Sequence, residues 1–403
     1  MSSEIKADKW SPASGTSATI GDSGDTYTIP SGVNFTNNGT ATGFGITAAN
    51  FRPNVNPLII NGDMAMAQRN TSVTGITDDG YKLCDRWYEY LSSLGTYTFA
   101  QEAQTSGNAF DNGFRTAFRI DCTTADASPS ASDEFWWGMK FEGQDLQLIK
   151  KGTSNAQKLT LAFWVKSNKT GVGQVNFRDT DNSRMCSGTY TISVANTWEH
   201  KIINIAADTT GAFTNDNAES LQIQWYLDSG SNYEGGATPT AWEADSAGDR
   251  NASGNLNIGD NTANDWSITG IQLEVGEYTS STIPPFQHES FGDNLQRCMR
   301  YYQNSYKLGN ALTSTASNNS IIVTSWNDGN CPFPNMFPVP MRDAPTVTLR
   351  PRGSSTTGQV NSNGTNRSAT ATDISEKGVS YLTVTSGTAL TYSGFTFELE
   401  TEL

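Results

Sequence analysis

The residues able to do chemistry in this chain are few, and their spacing favours binding over catalysis. The sequence has only two histidines, His200 and His288. Neither has a nucleophile or a metal motif beside it, so both read as structural. No nucleophile elbow, zincin helix, phosphate loop or dinucleotide fingerprint is present. A glycan hydrolase would need two carboxylates about 5–9.5 Å apart, but with forty-one acidic residues chain spacing singles out no pair. The expectation is therefore no enzyme and no catalytic residue. Aromatic residues are the better lead, at ten tryptophans and fourteen tyrosines. A sugar ring offers an apolar C–H face fringed by hydroxyls, which suits an indole or phenol with a carboxylate or amide nearby. Trp136 and Trp137 are adjacent, so in a strand they point to opposite faces. One would pack and the other lie open, with Trp137 the expected open ring and Asp133 and Glu134 beside the pair. Trp225, Tyr226, Tyr233 and Trp242 form a second aromatic group around SGSNYEGGATPTAW. Asp-rich turns such as RDTDNSR and IGDNTAND hold oxygen ligands, but neither matches an EF-hand loop.

The elements that must position these residues are strands. Hydrophobic residues make up 36% and charged residues 17%, too little charge for the dense heptads of a coiled coil. The remainder is largely Thr, Ser, Asn and Gly, which suits pleated sheets with polar turns. A net charge of -15 leaves no basic stripe for nucleic acid. No run of 18 apolar residues exists, so no membrane insertion is expected. The N-terminus lacks the apolar stretch of a signal peptide. Cys84, Cys122, Cys186, Cys298 and Cys331 show no ligand spacing and read as small buried hydrophobes.

Three segments follow from this patterning. Residues 1–56 are a polar leader with strand-like pieces, too poor in large apolar residues to make a core alone. Residues 57–287 carry strands at Pro57–Asn61, Arg86–Tyr90, Tyr97–Glu102, Phe114–Asp121, Lys158–Asn168, Gly173–Arg178, Thr189–Val194, Glu199–Ile205, Leu221–Leu227 and Ser267–Val275. The last has a bulge or register change near Gly270. Short strands with polar turns predict an all-β sandwich or jelly roll. Leu159, Leu161, Phe163 and Val165 alternate toward the core, with Trp164 on the other face. EGQDLQLIKK predicts a helical turn or two. Residues 288–403 open with a helix over Phe291–Asn304, its stripe being Phe291, Leu295, Cys298 and Tyr302. A smaller β-domain follows, clearest at Tyr381–Val384 and Phe395–Leu399, with a loop or turn at Thr372–Lys377.

Several blocks carry a resemblance. GIQLEVG, PFQHES and RCMRYYQ at the junction, NPLIINGDMAMAQR, CDRWYEY, LTLAFWVKSNKTG and WEHKIINIAADTTGAF before it, and MRDAPTVT and FELETEL after it resemble tail-fibre and virion-surface proteins of tailed bacteriophages. Those proteins carry a jelly roll of the carbohydrate-binding type. TIGDSGDTYTIPSG and NNGTATGFG resemble the leader of such proteins in marine phages. The resemblance implies a virion protein made in the host cytoplasm, either a tail fibre or a tail-attached receptor-binding subunit. It further implies a homotrimer, attachment to other tail or virion proteins through residues 1–56, and adhesion to host surface polysaccharide. A capsid-decorating fibre and a glycan-cleaving tailspike are the rival members of the same setting. No cofactor is implied beyond a structural calcium ion near the first and last strands, where Asp63 and Glu274 stand. Only one acid occupies the last strand, where relatives with the ion have a pair.

Overall fold

The computed structural model describes residues 56–310, 312, 320–325, 329–333, 336–385 and 392–403. Backbone proximity divides the chain into Met1–Thr47 and Ala48–Leu403, and the described residues belong to the second unit. The attachment and trimerisation role expected of residues 1–56 therefore falls, apart from Asn56, outside the described residues.

Twelve strands make up the main body: β1 (Ser72–Ile76), β2 (Tyr88–Ser92), β3 (Thr96–Ala103), β4 (Thr116–Thr124), β5 (Glu134–Glu142), β6 (Leu159–Ser167), β7 (Gly171–Asp179), β8 (Arg184–Ile192), β9 (Glu199–Ile205), β10 (Glu219–Ser229), β11 (Glu243–Ala244) and β12 (Asp265–Val275). A short helix, α1 (Asn108–Asp111), joins β3 to β4. The strands form two six-stranded sheets, ordered β1-β3-β4-β12-β6-β9 and β11-β8-β7-β10-β5-β2. Their inner faces share one apolar core, so the body is a β-sandwich of the jelly-roll kind. Trp137 from β5 sits at its centre. It stacks on Trp87 at 4.3 Å and meets Trp225 and Trp266 edge-on, each at 5.6 Å.

Several expectations are met in detail. β9 spans the expected residues, and β6 and β12 differ from theirs by one or two residues at an end. The register of β12 against β6 shifts between Thr269 and Gln272, where Gly270 holds a left-handed φ of 60°. EGQDLQLIKK supplies the 3-10 turn Gly143–Ile149. All five cysteines are buried and free. Other expectations are corrected. Pro57–Asn61 is not a strand but an irregular segment. Asn61 takes a left-handed φ of 58°, and its side chain accepts from the Met66 amide at 2.8 Å and donates to the Asp85 carbonyl at 3.0 Å. These side-chain bonds replace a ladder. β5 lay hidden because eight of its nine residues are buried, which erases the two-residue period.

Beyond β12, α2 (Phe291–Met299) is capped by Ser290, whose hydroxyl accepts from the Asp293 amide. It stops short of Asn304, and the chain turns into β13 (Tyr302–Asn304). Of the expected helical stripe, Cys298 is buried but Phe291 is 59% exposed and Tyr302 lies past the helix. The strands β14 (Ile321–Thr324), β15 (Asn330–Pro332), β16 (Thr346–Pro351), β17 (Gln359–Ser362), β18 (Thr365–Ser375), β19 (Gly378–Val384) and β20 (Tyr392–Glu400) complete a second β-layer. Its order is β13-β20-β17-β18-β19-β15, with β14 and β16 also paired to β20, around its own apolar core. Much of the expected loop at Thr372–Lys377 is strand, since β18 runs to Ser375.

One buried ionic network joins the sandwich to the C-terminal layer, and it gathers blocks that lie far apart in sequence. Arg86 of CDRWYEY pairs with Glu402 of FELETEL and lies over the Tyr301 ring of RCMRYYQ at 3.4 Å. Arg69 reaches Glu400 at 3.1 Å and Glu402 at 3.3 Å, with Asp85 at 3.6 Å, and lies over the Tyr302 ring at 3.7 Å. Arg342 of MRDAPTVT donates to the Thr401 carbonyl at 2.7 Å. Residues of these distant blocks thus fasten the two layers.

A separate buried acid makes stability depend on pH. Asp228 at the end of β10 is 1% exposed, and its carboxylate accepts from the Ser229 and Gly259 amides, each at 2.8 Å. Burial pushes its pKa up to about 7 against the pull of those amides. The folded state then holds a proton that the unfolded chain releases near pH 4, so this contribution to stability is lost as pH rises from about 4 through about 7. The full difference, some three pKa units, is at most about 4 kcal/mol. Denaturant unfolding at about pH 4.5 and about pH 8 should show this decline, and Asp228→Asn should reduce it, leaving the part due to Asp85 and Glu89, whose carboxyls burial also raises. A variant with the wild-type slope would assign the dependence to other groups.

Candidate functional site

Strand alternation opposes neighbouring aromatic residues, and the packing of the two sheets decides which of each pair faces the core. On β5, Trp137 points inward and Trp136 outward. Cross-strand pairing sets Trp136 opposite Tyr90 of β2 on one side and Tyr226 of β10 on the other. Tyr226 in turn faces Gln174 of β7. A row of Tyr90, Trp136, Tyr226 and Gln174 therefore crosses four strands on the outer face. The Tyr90 ring stacks on Trp136 at 5.7 Å with the planes 7° apart, and Tyr88 leans on the same indole at 5.3 Å.

Half of this row is roofed. The connection from β10 to β12 folds back over β7 and β8. Gln174 donates to the Asp249 carbonyl at 2.7 Å and Asn176 to the Arg250 carbonyl at 2.8 Å. The Ser187 amide donates to the Pro239 carbonyl at 2.6 Å, and Arg178 binds Asp245 at 2.5 Å. Gln174, Asn176 and Tyr226 are consequently sealed. Tyr226 donates to Glu134, and burial followed by that carboxylate's charge lifts its phenol well above its ordinary value. The β2 half remains open. Tyr88 and Tyr90 are half-buried, as is Tyr233 of the roof, whose ring lies 6.5 Å from Tyr226. Trp136 is wedged between the two β2 tyrosines and is 5% exposed. Flat rings with a carboxylate alongside suit stacking under a sugar ring with hydroxyls donated to oxygen.

The expected ligand residues divide accordingly. Trp136 and Tyr233 are brought together beside Glu134, whereas Tyr226 is corrected: it is 0% exposed under the roof, its hydroxyl spent on Glu134, and no ligand can touch it. Trp137 and Trp225 are corrected: both are 0% exposed and fill the core. Trp242 is elsewhere, its indole N–H donating to the Ala206 carbonyl at 2.7 Å with Lys151 over its ring at 5.0 Å. Asp133 is buried and turned into a loop, accepting from the Ser130 amide at 2.7 Å. Tyr88 and Tyr90 were missed. Their signal was the Tyr-x-Tyr alternation within CDRWYEY, opposite in phase to the buried Trp87.

Asp63 and Glu274 both line a cavity of about 10 Å³, together with Gln272 and Asn294. Burial raises the pKa of Asp63, opposed by the Ala65 amide. Among the described residues no three acids, histidines or cysteines converge as a metal-binding group. The pair by itself falls short of the six to eight oxygens that calcium takes, and the rest of any such shell would have to be amides, carbonyls and water.

No protein-family model matches the chain, and no curated protein matches it. Among solved structures it is similar to the enzymatically active domain of tailspike protein 4 from bacteriophage CBA120. That match has 12% identity and a TM-score of 0.28, covering 54% of this chain and 21% of that one, so the chain spans about a fifth of the tailspike domain's length. It is also similar to modules of xylanase 10B from Clostridium thermocellum, a carbohydrate-binding module joined to a GH10 module, at 12% identity and a TM-score of 0.24, covering 52% and 29%. A family 11 carbohydrate-binding module of a cellulosomal cellulase from the same organism gives 8% identity and a TM-score of 0.24, covering 52% and 98%. The sandwich assignment rests on this chain's own strand order and core.

Proposed function

We propose that this chain is a virion-surface protein of a tailed bacteriophage, a tail fibre or tail-attached receptor-binding subunit, that adheres to host surface glycan. The observation that carries the binding half is the open aromatic surface of Tyr88 and Tyr90 against Trp136, next to Glu134 and Tyr233, on the outer face of a jelly roll. The virion setting draws on the resemblance of blocks that here fasten the two β-layers. Adhesion of this kind works through many copies, since weak single-sugar contacts gain from multivalency. A homotrimer would provide it, with residues 1–56 as the assembly and attachment segment. On this reading no bond is broken, and the outcome is retention of the particle at the cell surface.

Tyr90→Ala tests the surface. The ring is half-buried, so the fold should survive and affinity for polysaccharide purified from the host envelope should fall roughly tenfold, the worth of one stacking contact. Unchanged binding by the folded variant would remove this face from the site. Light scattering of the full chain should give three times the chain mass, and a monomer would overturn the trimer.

A further inference from the structure

Both histidines of the chain line one pocket on the opposite side of the sandwich. It lies on the outer face of β6, β9 and β12, beside the connection that follows β12, and has a volume of about 400 Å³, within the roughly 300–1,000 Å³ of small-molecule sites. Trp164 reaches it because it is out of phase with the core-facing residues of β6, and the β6–β9 register sets it opposite His200. The two rings stack at 4.9 Å, 24° from parallel, and His200 keeps an exposed edge. Phe114, Phe286 and His288 form the facing aromatic group. Phe286 meets Phe114 edge-on at 4.9 Å and His288 at 4.8 Å. The bulge at Gly270 makes room for this group, since a Cβ there would stand 2.5 Å from the Phe114 ring. Gln272 is 6% exposed and stands between this pocket and the small cavity of Asp63 and Glu274, lining both. Its amide donates to the Pro284 carbonyl at 3.1 Å, while its Oε1 is buried with no hydrogen-bond partner among the described residues. A buried acceptor left open calls for a donor from water or ligand.

We propose that this pocket is a second carbohydrate subsite, distinct from the Tyr88–Tyr90 surface, that takes a single pyranose ring. The ring's C–H face lies on the Trp164–His200 stack, and its hydroxyls reach the imidazole nitrogens of the exposed His200 and His288. This rests on the glycan-binding reading above, but it concerns the other sheet. Two sites on opposite faces would let one subunit hold two glycan segments.

With only two histidines, the imidazole C–H resonances of the full chain report on the pocket directly. Free glucose, galactose, mannose and N-acetylglucosamine are titrated in turn. At least one sugar should shift both imidazole signals saturably. Trp164→Ala and the exposed His200→Ala should each weaken that binding roughly tenfold, whereas Tyr90→Ala should leave it unchanged. Should Trp164→Ala not fold, His200→Ala decides the point. Imidazole signals unmoved by every sugar, in a chain that still binds host polysaccharide, would overturn the subsite and leave the glycan reading standing. A chain that binds neither sugars nor polysaccharide overturns both.

Discussion

Replacing Trp137 with alanine should unfold much of the sandwich rather than blunt binding. The side chain is 0% exposed, stacked on Trp87 and ringed by Trp225, Trp266 and Phe118 at 5.1–5.6 Å. Truncating a buried tryptophan costs about 3–5 kcal/mol, through lost burial and the cavity left behind. These four partners come from four different strands or loops, so collapse around the gap would have to move both sheets together. Thermal unfolding followed by near-ultraviolet circular dichroism measures the effect, because the clustered indoles supply that signal. A Trp137→Phe variant, which fills most of the gap, should recover much of the loss and bind glycan normally. A Trp137→Ala protein with wild-type stability would mean the ring is not part of the core.

Glu402→Ala should be nearly as damaging, for an electrostatic reason. Its side chain is 4% exposed and serves Arg86 and Arg69, themselves 2% and 4% exposed. Removing it leaves two guanidinium groups in a dry junction, one with only the Lys140 carbonyl at 2.7 Å and the Tyr301 ring. Removing one partner of a buried ion pair costs about 3–5 kcal/mol, because the remaining charge stays desolvated. Arg86 also holds a left-handed φ of 73°, a strained backbone that the network must maintain. The control is Glu376→Ala, whose pair with Lys377 is 49% and 64% exposed on its two sides and should matter by less than about 1 kcal/mol. Denaturant midpoints of the two variants make the comparison. Equal, small losses would show that the junction network does not hold the layers together.

The two predictions turn on different kinds of information. Glu402 stands in the short acidic-apolar end of the chain, yet nothing in FELETEL tells that its partner is Arg86, more than three hundred residues earlier. Trp137 was singled out correctly as one of an opposed pair and assigned the wrong face. Alternation is a local property, so the sequence determined that Trp136 and Trp137 diverge, that Trp164 opposes Leu161, Phe163 and Val165, and that β12 breaks step at Gly270. It likewise determined the all-β class, since Thr- and Asn-rich runs with polar turns favour pleated sheet over helix.

Which face becomes the interior is decided only when two sheets meet. Beyond the opposed pair Trp136 and Trp137, the extent of β5 could not be read, because eight of its nine residues are buried and burial on both sides removes the polar half of the period. Tyr226 and Gln174 became inaccessible through residues 238–250, and His200 and His288 came to share a pocket across 88 positions of chain. Each of these depends on non-local contact between segments whose own patterns are complete without it. The sequence by itself fixed the period and class of the elements, because these follow from each residue's nearest neighbours; the tertiary structure alone decided burial, pairing and pocket, because those follow from which surfaces exclude water from one another.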